Sequence, residues 1–294
     1  MALETFLAML RQSYTGWLLV LAVLTAFELF NRRGGETLAS RTHGALFWLL
    51  SIPLWALSGA LLAAVWSALG LHPLVVLTVP EGDGWAALGI GVAAALLGAV
   101  VHDFFFYWFH RAQHRFLWRW HKVHHSVREL NAVNSYHHIG EPLLQMLLIQ
   151  LPMTLLIGNA GPAMPFMALA LWLHVVWIHS PTRATLGPLR VLLVDNRFHR
   201  IHHSLEERHF DRNFGAFTTL WDRLFGTCHM PVRDEWPDVG LDGVPQLAAV
   251  GDWLAAPWRA DDAPPADYPA DYPAEAEGRV TIQMPAQTSS SAAR

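Results

Sequence analysis

Three short segments concentrate histidines at spacings that suit metal binding. The segments HRAQH, HKVHH and HRIHH carry eight imidazoles, on His110, His114, His121, His124, His125, His199, His202 and His203. Residues three and four apart share one face of a helix, so each segment would present its imidazoles together. A structural zinc site takes four ligands and a catalytic zinc site takes three, so a set of this size fits two metal ions. Imidazole binds iron, copper, zinc and nickel, and ligand type alone does not select the metal.

A histidine-rich chain can also have functions that do not involve a pair of metal ions. A proton relay or a multi-haem membrane cytochrome is the next alternative, but haem ligands come as isolated residues rather than packed triplets. The chain has no HExxH motif, so the helical zinc-protease pair is excluded. Isolated histidines near a membrane are usually surface residues, and we expect this of His43, His72, His209 and His229.

Composition indicates a membrane protein. Hydrophobic residues make up 53% of the 294 residues and charged residues only 15%, whereas soluble domains carry roughly 25% charged residues. The single cysteine excludes an internal disulfide and a thiolate metal cluster. The net charge is −4 and the arginines form no basic stripe, so we expect no nucleic-acid partner.

The elements that must position the histidines are apolar helices. Residues 16–30, 45–70 and 85–101, with their flanks, reach the roughly 20 residues that a membrane span needs. The shorter stretches 143–158 and 163–179 predict a helical hairpin that crosses with distortion, or enters and returns. The first stretch lacks the basic start and cleavage site of a signal peptide and is expected to be a retained span.

Charge predicts the orientation of these helices. With three spans and a returning hairpin, every lysine and arginine except Arg11 lies on one side. The positive-inside rule makes that side cytoplasmic. All three histidine segments then lie on the cytoplasmic face, where they can meet.

The predicted fold is therefore all-α: about three spans and a short helical hairpin, with a cytoplasmic helical cap holding a histidine-rich dimetal site. We divide the chain into membrane spans (1–84), a histidine-bearing catalytic region that includes the hairpin (85–230) and a C-terminal extension (231–294). From about residue 255 the sequence is rich in proline and acidic residues, then in serine. That composition predicts a disordered tail without a catalytic role.

Longer motifs around the histidines resemble a known family. The segments DFFFYWFHR, LWRWHKVHHS, HRIHHS and DRNFGAFTTLWDRLFGT, in this order between about residues 85 and 227, resemble the fatty acid hydroxylase/sterol desaturase superfamily of integral-membrane di-iron oxygenases. The resemblance implies that the eight histidines above are metal ligands. It further implies His138, His174 and His179 as ligands between the second and last segments. The family's H-P-x-E element reads HIGE here, with the proline displaced to Pro142.

Hydrogen-bond partners are expected to fix the orientation of these imidazoles. Candidates that lie in or beside the family motifs are Asp103, Glu141, Asn213 and Asp222. His102 and His137 are left out of the ligand set, since their helical phase or motif position does not fit.

The resemblance implies an oxidoreductase that uses dioxygen and two iron ions to hydroxylate or desaturate a lipid C–H bond; zinc could replace iron in purified material. The chain has no flavin, haem or pyridine-nucleotide motif, so electrons must come from a separate reductase with a small redox protein. Sterol, fatty acyl, alkylglycerol and carotenoid substrates all remain open. A zinc-dependent membrane hydrolase, which would need no dioxygen, and a non-catalytic metal-binding membrane protein are the alternatives.

Overall fold

A computed structural model describes residues 3–31, 33, 37–78, 84–160, 164–242, 244, 247 and 249–259 of the chain. Helices dominate this part of the chain, which confirms the predicted all-α class. Residues 261–294, which make up most of the predicted disordered tail, lie outside the described residues.

Three helices form the membrane part of the protein: α1 (Leu3–Phe30), α2 (Leu38–Ala68) and α3 (Trp85–Phe116). Within the described residues, these three are long and apolar enough to cross a bilayer, so the chain is an integral membrane protein. Large apolar side chains point outward from them, as Leu96 does with 53% of its surface exposed. Contact with lipid makes such a surface favourable.

The predicted hairpin departs from regular α-helix in ways that its composition does not indicate. Its first arm is a continuous helix made of α5 (Glu141–Gln145), a π-helical turn (Met146–Gln150) and α6 (Leu151–Leu156). Its second arm is α7 (Met164–Trp177). Between the arms, β2 (Ile157–Ala160) pairs in parallel with β1 (Val75–Thr78), which follows α2. This two-stranded pair was not predicted: β1 lies in the segment expected to be the loop after the second span, and β2 lies at the end of the first arm of the expected hairpin.

Short helices build the cap that carries the histidines. They are α4 (Trp118–His125), α8 (Asn196–His202), α9 (Leu220–Leu224) and α10 (Val250–Ala255). Turns of 3-10 helix lie at Gly187–Val191, Glu207–His209 and Ala256–Trp258. The carboxylate of Asp195 begins α8 by accepting the N–H groups of Arg197 and Phe198, which fixes the register of the histidines that follow.

Apolar contacts hold the cap against the membrane helices. One core joins Phe47 of α2, Val123 of α4, Tyr136 and Trp253 of α10. Residues of the predicted C-terminal extension, such as Trp253, therefore pack in one core with α4, which carries the second histidine segment. Helix α2 approaches the backbone of Val133 closely, and this approach requires Gly44. A Cβ atom at residue 44 would lie 2.1 Å from the carbonyl oxygen of Val133.

Candidate metal centre

The structure gathers nine imidazoles into two buried groups. In each group one ligand atom per residue lies within 4.8 Å of all the others. The five-histidine group consists of His110, His114, His121, His125 and His202, and the four-histidine group of His124, His179, His199 and His203. The second and last histidine segments therefore meet, and the rings of His125 and His203 lie 4.6 Å apart between centroids.

The two short helices α4 and α8 each supply both groups, in opposite proportions. From α4, His121 and His125 join the five-histidine group and His124 joins the other. From α8 and the residue after it, His199 and His203 join the four-histidine group and His202 joins the other. In each segment the residues at i and i+4 share a group while the residue at i+3 turns to the other, as helical geometry allows.

Each group takes its remaining histidines from a segment that contributes to that group only. The five-histidine group takes His110 and His114 from α3, whose membrane part continues directly into it. The four-histidine group takes His179, which follows α7. The Nε2 atom of His179 lies 2.9 Å from that of His199 and 3.4 Å from that of His124.

Oxygen atoms fix the outer nitrogen of five of these rings. Because Nδ1 of each ring faces an acceptor, that nitrogen carries the hydrogen and Nε2 presents its lone pair to the interior of the group. The pairs are His110 with the Phe214 carbonyl at 2.8 Å, His202 with the Arg212 carbonyl at 2.8 Å, His124 with the Tyr136 carbonyl at 3.1 Å, His179 with the Val175 carbonyl at 2.8 Å and His114 with the Asp211 carboxylate at 3.1 Å.

This arrangement fits a metal ion in each group. The Nε2 atoms of His110 and His121 lie 3.0 Å apart, and those of His114 and His125 lie 3.2 Å apart. His124 and His179 both carry their hydrogen on Nδ1, so their Nε2 lone pairs, 3.4 Å apart, repel unless a cation lies between them. Ligand atoms bound at about 2.1 Å are separated by roughly 3.0–3.4 Å in octahedral and tetrahedral sites, which matches these spacings.

Protonation of the imidazoles does not provide such a cation near pH 7. Burial, and then the neighbouring imidazoles, hold the pKa values of His121, His124 and His199 well below 6.5. For His179, burial lowers the pKa to about 4. These four rings are therefore neutral near pH 7, the form that binds metals.

Two buried carboxylates hold the loop that orients His110. Asp222 accepts the N–H groups of Phe214 and Gly215 and the hydroxyl of Thr227. From α3, Asp103 accepts the next three N–H groups of the loop, those of Ala216, Phe217 and Thr218. These expected partners act on the imidazole through the loop backbone, since the Phe214 carbonyl contacts His110.

The other expected residues lie beside the groups. Glu141 accepts from Gln113 at 2.8 Å and from Gln145 at 3.3 Å. Asn213 donates to the Phe198 carbonyl on α8 at 2.9 Å, joining α8 to the backbone of His229.

Two of the eleven expected ligands are not in either group. His138 accepts the N–H of Gly140 through Nδ1 at 3.0 Å. The ring of His174 packs on that of Phe217, with 5.5 Å between centroids.

Sequence reasoning also missed residues of this centre. His137 stacks on His124, with ring centroids 3.8 Å apart, and burial lowers its pKa to about 3.

The expectation that His209 is a surface residue is wrong, since its side chain is fully buried. Its Nδ1 lies 2.8 Å from the Ser204 hydroxyl, and only the fold brings these residues together.

Comparison with known proteins adds independent information. The model of the fatty acid hydroxylase family matches residues 95–227, which include both histidine groups. The chain is 30% identical over 250 residues to ornithine lipid hydroxylase OlsE of Rhizobium tropici, covering 77% of this chain and 70% of that protein. It is 31% identical over 136 residues to alkylglycerol monooxygenase of Homo sapiens, covering 46% of this chain and 29% of that protein. Fatty acid hydroxylase vlmA of Lecanicillium sp is 28% identical over 163 residues, covering 49% and 43%. No solved structure matches the chain.

Proposed function

Because the chain belongs to the fatty acid hydroxylase family, we propose that it hydroxylates a membrane lipid with dioxygen, using two iron ions held by the nine imidazoles. The chain is an oxidoreductase that acts on lipids, as its relatives are. The observation that carries the finer proposal is the convergence of two neutral imidazole groups at the end of a membrane helix.

The proposed ligands are the members of the five-histidine and four-histidine groups. Iron bound there would supply dioxygen reduction and the cleavage of an unactivated C–H bond. The chain's own residues hold the rings in one tautomer, through the carbonyl oxygens of Phe214, Arg212 and Tyr136. The same contacts keep the Nε2 lone pairs of those rings directed inward, so they need no reorganisation on metal binding.

The substrate is expected to approach from the bilayer. Helix α3 runs from exposed apolar residues such as Leu96 to the buried ring of His110. Aromatic residues line this transition, and Phe106 contacts the His110 ring with 5.3 Å between centroids. This continuity of apolar and aromatic surface supports an approach of an acyl or alkyl chain from the bilayer side.

The relatives suggest the substrate class. By name they act on an ornithine lipid, an alkylglycerol and a fatty acid. We propose a polar-headgroup lipid with a long apolar chain as the substrate, and hydroxylation rather than desaturation as the reaction.

Electrons are proposed to come from a separate reductase with a small redox protein on the cytoplasmic face. The bias of basic residues supports that orientation for the histidine groups. A redox protein docked there would approach the metals without entering the bilayer.

The test is an assay of the purified full chain, loaded with ferrous iron, with a reductase and small redox protein, lipid extract and isotope-labelled dioxygen. The expected product is a lipid that carries one labelled oxygen atom and is absent without dioxygen. His124→Ala is the inactive control. Products formed equally without dioxygen would instead show a hydrolase, and no product from a fully iron-loaded chain with any lipid fraction would contradict the proposal.

A further inference from the structure

A third cluster of metal-ligating side chains lies outside the two histidine groups. It consists of His209, His229 and Glu235, whose ligand atoms lie within 4.8 Å of one another. We propose that this cluster binds a single divalent cation, with zinc as the fitting ion, separately from the metals of the two histidine groups.

The spacing of the ligand atoms supports a metal. The Nε2 atom of His209 lies 3.2 Å from one oxygen of Glu235, and the Nε2 atom of His229 lies 3.5 Å from the other. The edge of a tetrahedron with bonds of about 2.1 Å measures roughly 3.4 Å, so each separation suits zinc, and a carboxylate that binds through both oxygens would let one ion contact both imidazoles.

Hydrogen bonding sets the orientation of the buried ring. His209 is fully buried and its Nδ1 lies 2.8 Å from the hydroxyl of Ser204. That hydroxyl accepts the N–H of Glu206 and has a second lone pair for a hydrogen on Nδ1 of His209. A cation at Nε2 would select the tautomer with the hydrogen on Nδ1 and would lie between Nε2 and the oxygen of Glu235. Metal-bound histidines commonly have an outer hydrogen bond of this kind.

Glu235 has two further partners that leave room for an ion. One oxygen accepts the N–H of Val232 at 2.8 Å. The other lies 3.0 Å from Arg208, whose side chain is 58% exposed. Because Arg208 also pairs with the exposed Glu206 at 2.7 Å, it can leave Glu235 when a metal binds.

The ligand set also has the right chemistry. Two imidazoles and one carboxylate occur in zinc sites and in mononuclear iron sites, with open positions for water or another ligand. His229 remains 26% exposed on its side chain, so a cation has access from solvent.

The place of the cluster in the fold indicates what an ion there would do. Ser204 directly follows the last histidine segment and pairs with Val239, and the N–H of Gly240 bonds the carbonyl of His203. A cation held by His209, His229 and Glu235 would join the chain after His203 to the segment that covers it. We therefore expect a structural role, with slower opening of residues 229–240 when zinc is bound.

The experiment measures zinc and iron together on the iron-loaded full chain in detergent. Wild-type protein is expected to bind about one zinc ion per chain without losing iron. His229→Ala and Glu235→Gln are expected to bind zinc at least about 10-fold more weakly while retaining wild-type iron. The exposed His72 provides the matched control, and His72→Ala should bind zinc as the wild type does.

A finer variant tests the outer hydrogen bond. Ser204→Ala keeps all three ligands and is expected to weaken zinc binding by about 10-fold. Hydrogen exchange of residues 229–240 should slow on zinc addition in the wild type and not in Glu235→Gln. The proposal is overturned if the wild type takes up zinc only by displacing iron, or if both His229→Ala and Glu235→Gln bind zinc as tightly as the wild type.

Discussion

The five-histidine and four-histidine groups are built from the same two helices, and they differ in what completes them. Each repeated H-x-x-H-H segment divides its imidazoles two to one between the groups, and the two segments divide them in opposite directions. The remaining histidines come from α3 in one group and from His179 in the other. The repeat thus explains how two adjacent groups arise, and the added histidines explain how the proposed metal ions can differ in affinity.

The two groups also differ in how their outer hydrogen bonds are made. In the five-histidine group, His110 and His202 are fixed by the loop that Asp103 and Asp222 hold. In the four-histidine group, His179 bonds a carbonyl of its own helix, that of Val175. The first group should therefore respond to changes at Asp103 and Asp222, whereas the second group, whose outer contacts include the carbonyls of Val175 and Tyr136, should not.

The largest effect is expected from removing one ligand of each group. His124→Ala and His202→Ala should each lower turnover by more than about 100-fold, beyond what loss of an outer hydrogen bond costs. His124→Ala should release more metal, because it reduces the smaller group. Turnover and iron content of the purified variants test this, with His43→Ala as the control. Wild-type turnover in either variant would refute the ligand assignment.

The second-largest expected effect is the loss of folding stability of the metal-free protein at acidic pH. Burial lowers the pKa of His179 to about 4 in the folded chain, so below pH 6.5 the unfolded chain binds more protons. Stability is then complete above about pH 6.5 and falls as pH decreases toward 4. His179 alone should contribute a loss on the order of 2 kcal/mol by pH 5. Denaturant titration of the metal-free protein at several pH values measures it, and a flat profile would argue against neutral buried rings.

Asp222→Asn is expected to weaken only the five-histidine group. The change removes the charge that holds the N–H groups of Phe214 and Gly215, and so loosens the carbonyl contact to His110. Iron affinity of that group should fall about 10- to 100-fold, leaving one tightly bound ion. The exposed Asp234 offers the matched control, Asp234→Asn. Equal loss from both groups would remove the distinction between them.

The smallest effect is expected at Asp211. Its carboxylate is 47% exposed and bonds Nδ1 of His114 at 3.1 Å. Asp211→Asn keeps an acceptor oxygen, so iron affinity should change by less than about threefold, as for other exposed polar pairs. Competition with a chromophoric chelator resolves this. A loss as large as that of Asp222→Asn would show that this contact, rather than the buried loop, orients the group.

Local spacing predicted the parts of the centre that depend on helix geometry. The i, i+3 and i+4 spacing of His121, His124 and His125 was enough to predict that they lie on a helix. The bias of basic residues was enough to predict that the histidine segments lie on one side of the membrane. Hydropathy likewise identified the three spans confirmed here.

The rest depends on contacts between distant residues. Carbonyl groups such as those of Phe214 and Tyr136 carry no signature of residue type, so their roles could not be inferred. The burial of His209 arises from Glu235 and Ser204, which the fold brings beside it. The π-helical turn at Met146–Gln150 likewise has no marker in an apolar sequence.

The most direct test of the paired-metal claim is the iron content of the wild type beside His110→Ala and His179→Ala, each loaded with iron in the presence of zinc. The wild type should hold about two tightly bound iron ions per chain, and each variant about one, because the variants affect different groups. A double variant should hold none. One iron ion in the wild type, or two in both single variants, would contradict the account.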